Sequence, residues 1–171
     1  RPIARSSVPD NNGAGMHLTI VGCGFVGLAL ARQLQDDRSQ LTLTLTTTSE
    51  ERLAELRPLA EQARICDATD ANSLKQSLRD AEIAVFCLGP KGNSQVDEDG
   101  YRNTFIGSLH CLTSLLLQLP QLRQIIYTSS CSVYGDAQGA WVSESTPTNP
   151  SNGHGAVLVE SESLLLAIDQ P

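Results

Sequence analysis

The sequence predicts an α/β fold: a doubly wound parallel sheet with helices on both faces and strand order 3-2-1-4-5. Two observations carry that prediction. Short apolar runs alternate with helix-periodic segments along the whole chain. The first of these runs ends in three glycines, Gly22, Gly24 and Gly27, at the spacing G-x-G-x-x-G. Composition agrees: the chain has 171 residues, 40% hydrophobic and 18% charged, enough for one domain with its own core.

Residues 1–15 have no hydrophobic period and are rich in Ser, Pro, Asn and Gly. They read as a flexible leader, a linker or an expression remnant, with Met16 as the native start and residues 16–171 as the domain. The apolar run 18–21 is the first strand. After the glycines, Val26, Leu28, Ala29, Leu30, Ala31 and Leu34 form a helix that is apolar on most sides. Leu41–Thr47 alternates strictly and is the second strand. Ser49 is expected to cap the next helix, which carries Leu53, Leu56 and Leu59 and is limited by Pro58. Residues 64–66 form a short third strand leading to Asp67. Asp70 caps a helix through Leu74 and Leu78. The run 82–88, EIAVFCL, suits a central parallel strand, and residues 89–93 form a loop at its carboxyl end. Residues 97–119 read as one long helix stopped by Pro120. Residues 124–128 are the fifth strand, and a last helix covers residues 155–169.

Several function classes are excluded or disfavoured. A net charge of −7 argues against nucleic acid as partner, because phosphate binding needs clustered Lys and Arg. No apolar run is long enough to span a bilayer; the longest, around 112–119, is broken by Thr113, Ser114 and Gln118. The five cysteines, Cys23, Cys66, Cys87, Cys111 and Cys131, are scattered with no C-x-x-C pair. That pattern suits reduced thiols in a cytoplasmic compartment and no metal site.

The glycine segment carries the chemistry. Gly22 permits the tight turn off the strand, Gly24 lets a pyrophosphate approach the backbone, and Gly27 lets the helix pack on the strand. The helix start, at Phe25 and Val26, then offers free N–H groups and a positive dipole end to phosphate. A ribose-binding carboxylate is expected about 20 residues beyond the glycines in an NAD site. Thr46, Thr47, Thr48 and Ser49 stand there instead, with no carboxylate before Glu50. Hydroxyls with Arg52 suit a 2′-phosphate, so the sequence favours NADP over NAD.

Together these motifs resemble the short-chain dehydrogenase/reductase superfamily, in its atypical or extended NAD-dependent epimerase/dehydratase-like group. The resemblance rests on the glycine loop, Asp67, the segment AVFCLGP at 84–90, YTSSCSVYGD at 127–136 and the G-x-W-V-x-E-x-x-P run at 139–147. It covers the chain from Met16 onward. It implies a Rossmann-like NAD(P)-binding domain, with Asp67 on the adenine amino group. Leu88, Gly89, Pro90 and Thr128 would line the ribose and nicotinamide, with Thr47 beside the adenosine ribose. It places Ser130 at the position that hydrogen-bonds a substrate hydroxyl or carbonyl, with strand-end turn chemistry as the alternative reading of Ser129 and Ser130.

The departures from that family matter as much. The catalytic Tyr-x-x-x-Lys is absent: His154 stands for the tyrosine and Leu158 for the lysine. Leucine cannot hold a ribose or lower a neighbour's pKa, whereas His154 could exchange a proton near neutral pH or be a solvated loop residue. The chain also ends straight after the last recognisable helix, where extended members carry a substrate lobe. The expectation is therefore a catalytically degenerate dinucleotide-binding domain. The alternative is an active oxidoreductase or epimerase, on a nucleotide sugar or a small carbonyl compound, completed by further C-terminal sequence. Related proteins pair the helices matching 97–119 and 155–169, so a homodimer is expected through them. Both are leucine-rich, as they would also be if each packed only on its own sheet.

Overall fold

The computed structural model describes residues 15–37, 40–90 and 97–168. The predicted leader up to residue 14, loop residues 91–93 and the end of the last predicted helix lie outside them. Five strands form one sheet: β1 (Met16–Val21), β2 (Leu41–Thr47), β3 (Gln62–Ile65), β4 (Ile83–Phe86) and β5 (Gln124–Tyr127). Their order is β3-β2-β1-β4-β5, and every pairing is parallel, as the sequence predicts. The order reverses between β1 and β4, which opens a crevice at the carboxyl ends of those strands.

Strand alternation sorts the side chains onto two faces. Leu18, Ile20, Leu43, Leu45, Val85 and Cys87 pack with Ala31 of α1 (Phe25–Gln33) and Leu56 of α2 (Leu53–Leu56). Val21, Ala84 and Phe86 point the other way. They meet Leu74 and Leu78 of α3 (Ala71–Leu78) and Leu109, Leu112 and Leu115. A helical segment carries those last three: α4 (Glu98–Arg102), a π-helical turn (Asn103–Gly107) and α5 (Ser108–Leu115). A third cluster, Phe105, Ile106, Val133, Val157 and Leu158, seats α6 (Gly153–Leu166).

Some boundaries differ from the sequence reading, each for a local reason. Ser49 does not cap the second helix: α2 begins at Leu53 after Arg52, while the Ser49 hydroxyl donates to the Glu51 carboxylate. The predicted helix 97–119 is continuous in space but changes winding at the π-helical turn. Its last turn, Leu116–Gln118, is 3-10. The last helix starts at Gly153 rather than 155, because the Asn152 side chain accepts the Gly155 N–H at 2.9 Å and caps it. Asp70 caps α3 as predicted, accepting the Ser73 N–H at 2.7 Å. The threonines of β2 are as buried as its leucines: Thr44 is 1% and Thr46 0% exposed. That burial is tolerable because the Thr44 hydroxyl bonds His17 Nε2 and Thr46 Oγ1 accepts the Gly22 N–H. Among the described residues no helix is long and apolar enough to cross a membrane.

Candidate functional site: a glycine-loop cavity

The turn after β1 is held in place by β2. Thr46 Oγ1 accepts the Gly22 N–H at 3.0 Å, and the Thr46 carbonyl accepts the Cys23 N–H at 2.8 Å. Gly22 has φ +88°, a left-handed conformation that glycine adopts without strain. A Cβ on Gly27 would lie 2.8 Å from the Gly22 carbonyl oxygen and 3.1 Å from Ile20, so α1 packs directly on the strand. Gly24 is different: a Cβ there would meet no atom within 4 Å. Its missing side chain leaves open space that a bound group can enter.

That space belongs to a cavity of about 780 Å³ at the carboxyl ends of β1 to β4. The volume lies in the range of small-molecule and cofactor sites. Of the residues expected to bind cofactor, Gly22, Gly24, Thr47, Asp67, Leu88, Gly89 and Pro90 line it. Phe25, Val26 and Gly27 do not line it, and Phe25 is 93% exposed. What they can offer is backbone N–H at the helix start. The first intrahelical bond runs from Leu28 N–H to the Gly24 carbonyl, and no described side chain caps α1. The N–H groups of Phe25, Val26 and Gly27 therefore precede that bond, at the positive end of the helix. This is a cradle for an anion, and it fits the pyrophosphate of a dinucleotide.

The charged equipment of the walls is sparse. Among the described wall residues, Arg52 is the one cation and Asp67 the one carboxylate. Asp67 Oδ1 accepts both the backbone N–H and the hydroxyl of Thr69, at 3.0 and 2.7 Å, which fixes its orientation at the end of β3. Arg52 Nη1 donates to the Cys23 carbonyl at 2.6 Å, and its Nη2 lies 3.3 Å from Glu55. Cys23, Cys66 and Cys87 also line the cavity. Burial pushes the Cys23 thiol up to about 11 and raises Cys66 and Cys87, so these walls stay neutral at physiological pH. Cys23 is thus a buried filler rather than a reactive thiol.

The remaining predicted residues lie elsewhere. Thr128 closes the end of β5, its hydroxyl donating to the Phe86 carbonyl at 3.1 Å. Ser130 caps a short 3-10 turn, Cys131–Tyr134, by accepting the Ser132 N–H at 3.2 Å. His154 sits in the first turn of α6 and stacks on Tyr101 of α4, ring centroids 4.5 Å apart. Leu158, one helical turn on, is 2% exposed and buried against Phe105, Ile106 and Val133. Neither Ser130 nor His154 lines the cavity.

Three contributors were not legible from the glycine spacing alone. Thr46, expected among the hydroxyls facing a 2′-phosphate, is instead fully buried off the cavity wall and holds the turn, because β1 and β2 pair with Ile20 opposite Leu45, which sets Thr46 beside Gly22. Asn103 and Thr104 reach the wall because the π-helical turn lies there, and π turns concentrate at functional sites. No residue in NTFIG signals that winding in advance.

Comparison with known proteins bears on family and fold. The profile of the NAD dependent epimerase/dehydratase family matches residues 18–170. Protein YeeZ of Escherichia coli K12 is 33% identical over 154 residues, covering 86% of this chain and 52% of YeeZ. D-erythronate dehydrogenase of Cupriavidus necator is 30% identical over 154 residues, covering 84% of this chain and 47% of that enzyme. The chain thus spans about half the length of these relatives. Among solved structures, a UDP-galactose 4-epimerase superposes with TM-score 0.72 at 20% identity, covering 87% of this chain and 50% of that one. A UDP-glucose 4-epimerase from Bifidobacterium longum, in complex with NAD+ and UDP, gives 0.72 at 18% identity, covering 88% and 48%. At those identities the superpositions speak for the fold alone.

Proposed function

The chain belongs to the NAD dependent epimerase/dehydratase family, and from that premise we propose that this domain binds NAD(P) in the glycine-loop cavity and has lost the family's acid–base pair. The carrying observation is the open space over Gly24 beside an uncapped helix start. There the pyrophosphate would meet the N–H groups of Phe25, Val26 and Gly27. Asp67 would receive the adenine amino group, and Thr47, Thr48 and Arg52 the ribose 2′ substituent. The absence of a carboxylate in 46–49 and the presence of Arg52 on the wall support NADP over NAD. Leu88, Gly89 and Pro90 would face the far ribose. The bound cofactor would supply hydride chemistry; the chain's own residues bind and orient it. The free thiols support a reducing, cytoplasmic compartment.

Degeneracy is argued from two positions. Leu158 lies in an apolar cluster, where it neither holds a ribose nor tunes a base. His154 is the remaining titratable group at these two positions, and it stacks on Tyr101 without lining the cavity. General acid–base help contributes about 10²–10⁴-fold in rate, so its loss leaves turnover near background. A second reading is an active oxidoreductase or epimerase acting on a nucleotide sugar or a small carbonyl compound. The half-length match to relatives favours it, because further sequence would then supply the substrate lobe. A screen of alcohols, aldehydes and nucleotide sugars, read by absorbance of the reduced cofactor, separates the two. Background rates are expected. Turnover that collapses in His154→Ala would make His154 the base and overturn the degenerate reading.

A further inference from the structure

The glycine loop is tied to the β2–α2 corner at three points. Two run from Thr46, to the N–H groups of Gly22 and Cys23. The third is the 2.6 Å bond from the Arg52 guanidinium to the Cys23 carbonyl. Cys23 stands between Gly22, at φ +88°, and Gly24, whose open side faces the cavity. The peptide that Arg52 grips is therefore the one leading into the α1 N–H cradle. The two Thr46 bonds reach the strand side of the turn, and Arg52 alone among these holds its helix side. Glu55, 3.3 Å from Arg52 Nη2 and 3.4 Å from Arg32, orients the guanidinium.

Resting on the proposed NAD(P) site, we propose that Arg52 is a positioning residue for the pyrophosphate cradle. Its grip on the Cys23 carbonyl sets the loop for any dinucleotide, whether or not the ribose carries a 2′-phosphate. Contact with the phosphate alone predicts something different. In that case NADP suffers when Arg52 is changed and NAD does not. A positioning role makes both suffer.

Arg52 is half-buried at a surface corner, so its replacement leaves the core intact. The test is isothermal titration of wild type, Arg52→Gln and Arg52→Lys with NADP and with NAD, at low and high salt, alongside thermal melting. The expected result is a loss of about tenfold in NAD affinity for Arg52→Gln, the scale of one charge-assisted hydrogen bond. NADP affinity falls further, Arg52→Lys recovers part of both, and melting shifts little. The NAD deficit persists at high salt, where a remote Coulombic effect is screened. An NAD affinity unchanged in both variants overturns the proposal, as does a deficit that vanishes with salt. Wild type that binds neither dinucleotide overturns the underlying site assignment as well, and so is distinct from either of those results.

Discussion

Three glycines of one motif do three different things, and substitution separates them. Alanine at Gly22 would have to hold φ +88° with its Cβ 2.9 Å from the Cys87 carbonyl oxygen. Left-handed strain of that kind costs on the order of 1–3 kcal/mol. Alanine at Gly27 would press on the Gly22 carbonyl and overpack the strand–helix contact, again about 1–3 kcal/mol. Both variants are expected to lower the denaturation midpoint, measured by urea titration; unchanged midpoints would contradict the packing described. His17 provides a pH readout. Burial is the main cause that lowers its pKa below the ordinary histidine value, against opposing pulls from Asp80, Glu61 and Glu82. The unfolded chain then binds the proton more readily than the folded one. His17 therefore contributes no penalty above about pH 6.5 and destabilises as pH falls through that value towards the lower folded pKa. The melting temperature of wild type should drop more between pH 7.5 and about 5.5 than that of His17→Gln. Equal drops would show that His17 is not responsible.

At the scale of elements, α6 carries the two positions, His154 and Leu158, on which the proposed degeneracy rests. Its cap, Asn152, and its buried face, Val157, Leu158 and Ser161, dock it against the π-helical turn and the 3-10 turn after β5. Restoring the missing lysine as Leu158→Lys would put an ammonium among Phe105, Ile106 and Val133. An unpaired buried charge costs about 3–5 kcal/mol. The variant should unfold at markedly lower urea than wild type; a stable Leu158→Lys protein would mean that position opens to a polar site. This helix also shows where sequence reading stops. The strands and helices were legible because periods of 2 and 3.6 differ sharply in LTLTLTT and LHCLTSLLL, and the strand order followed from the doubly wound fold that the glycine loop opens. The start of α6 was misplaced by two residues because Asn152 lies among other turn formers, Pro150, Ser151 and Gly153, with nothing to rank them. Ser49 was misread as a cap because the carboxylate of Glu51 competes for its hydroxyl. The cavity's glycines were legible from spacing, and Asp67 at the end of β3 from the family resemblance. The π-helical turn, which brings Asn103 and Thr104 to the wall, depends on tertiary packing that no local pattern encodes.

For the whole molecule, two measurements matter. Leu117, in the 3-10 turn after α5, is fully exposed and Leu166 of α6 86% exposed; the proposed homodimer through these helices would cover them. Sedimentation at micromolar concentration should then report a dimer, and a monomer would remove that reading. The most direct test concerns the cavity itself. Gly24 is the position where a side chain fits the fold but not the ligand, since a Cβ there touches nothing within 4 Å. Calorimetric titration of wild type and Gly24→Val with NADP and NAD should show binding to wild type, tighter for NADP. The variant should bind neither while melting near the wild-type temperature. Equal binding by both proteins, or none by wild type, would contradict the assignment of this cavity as a dinucleotide site.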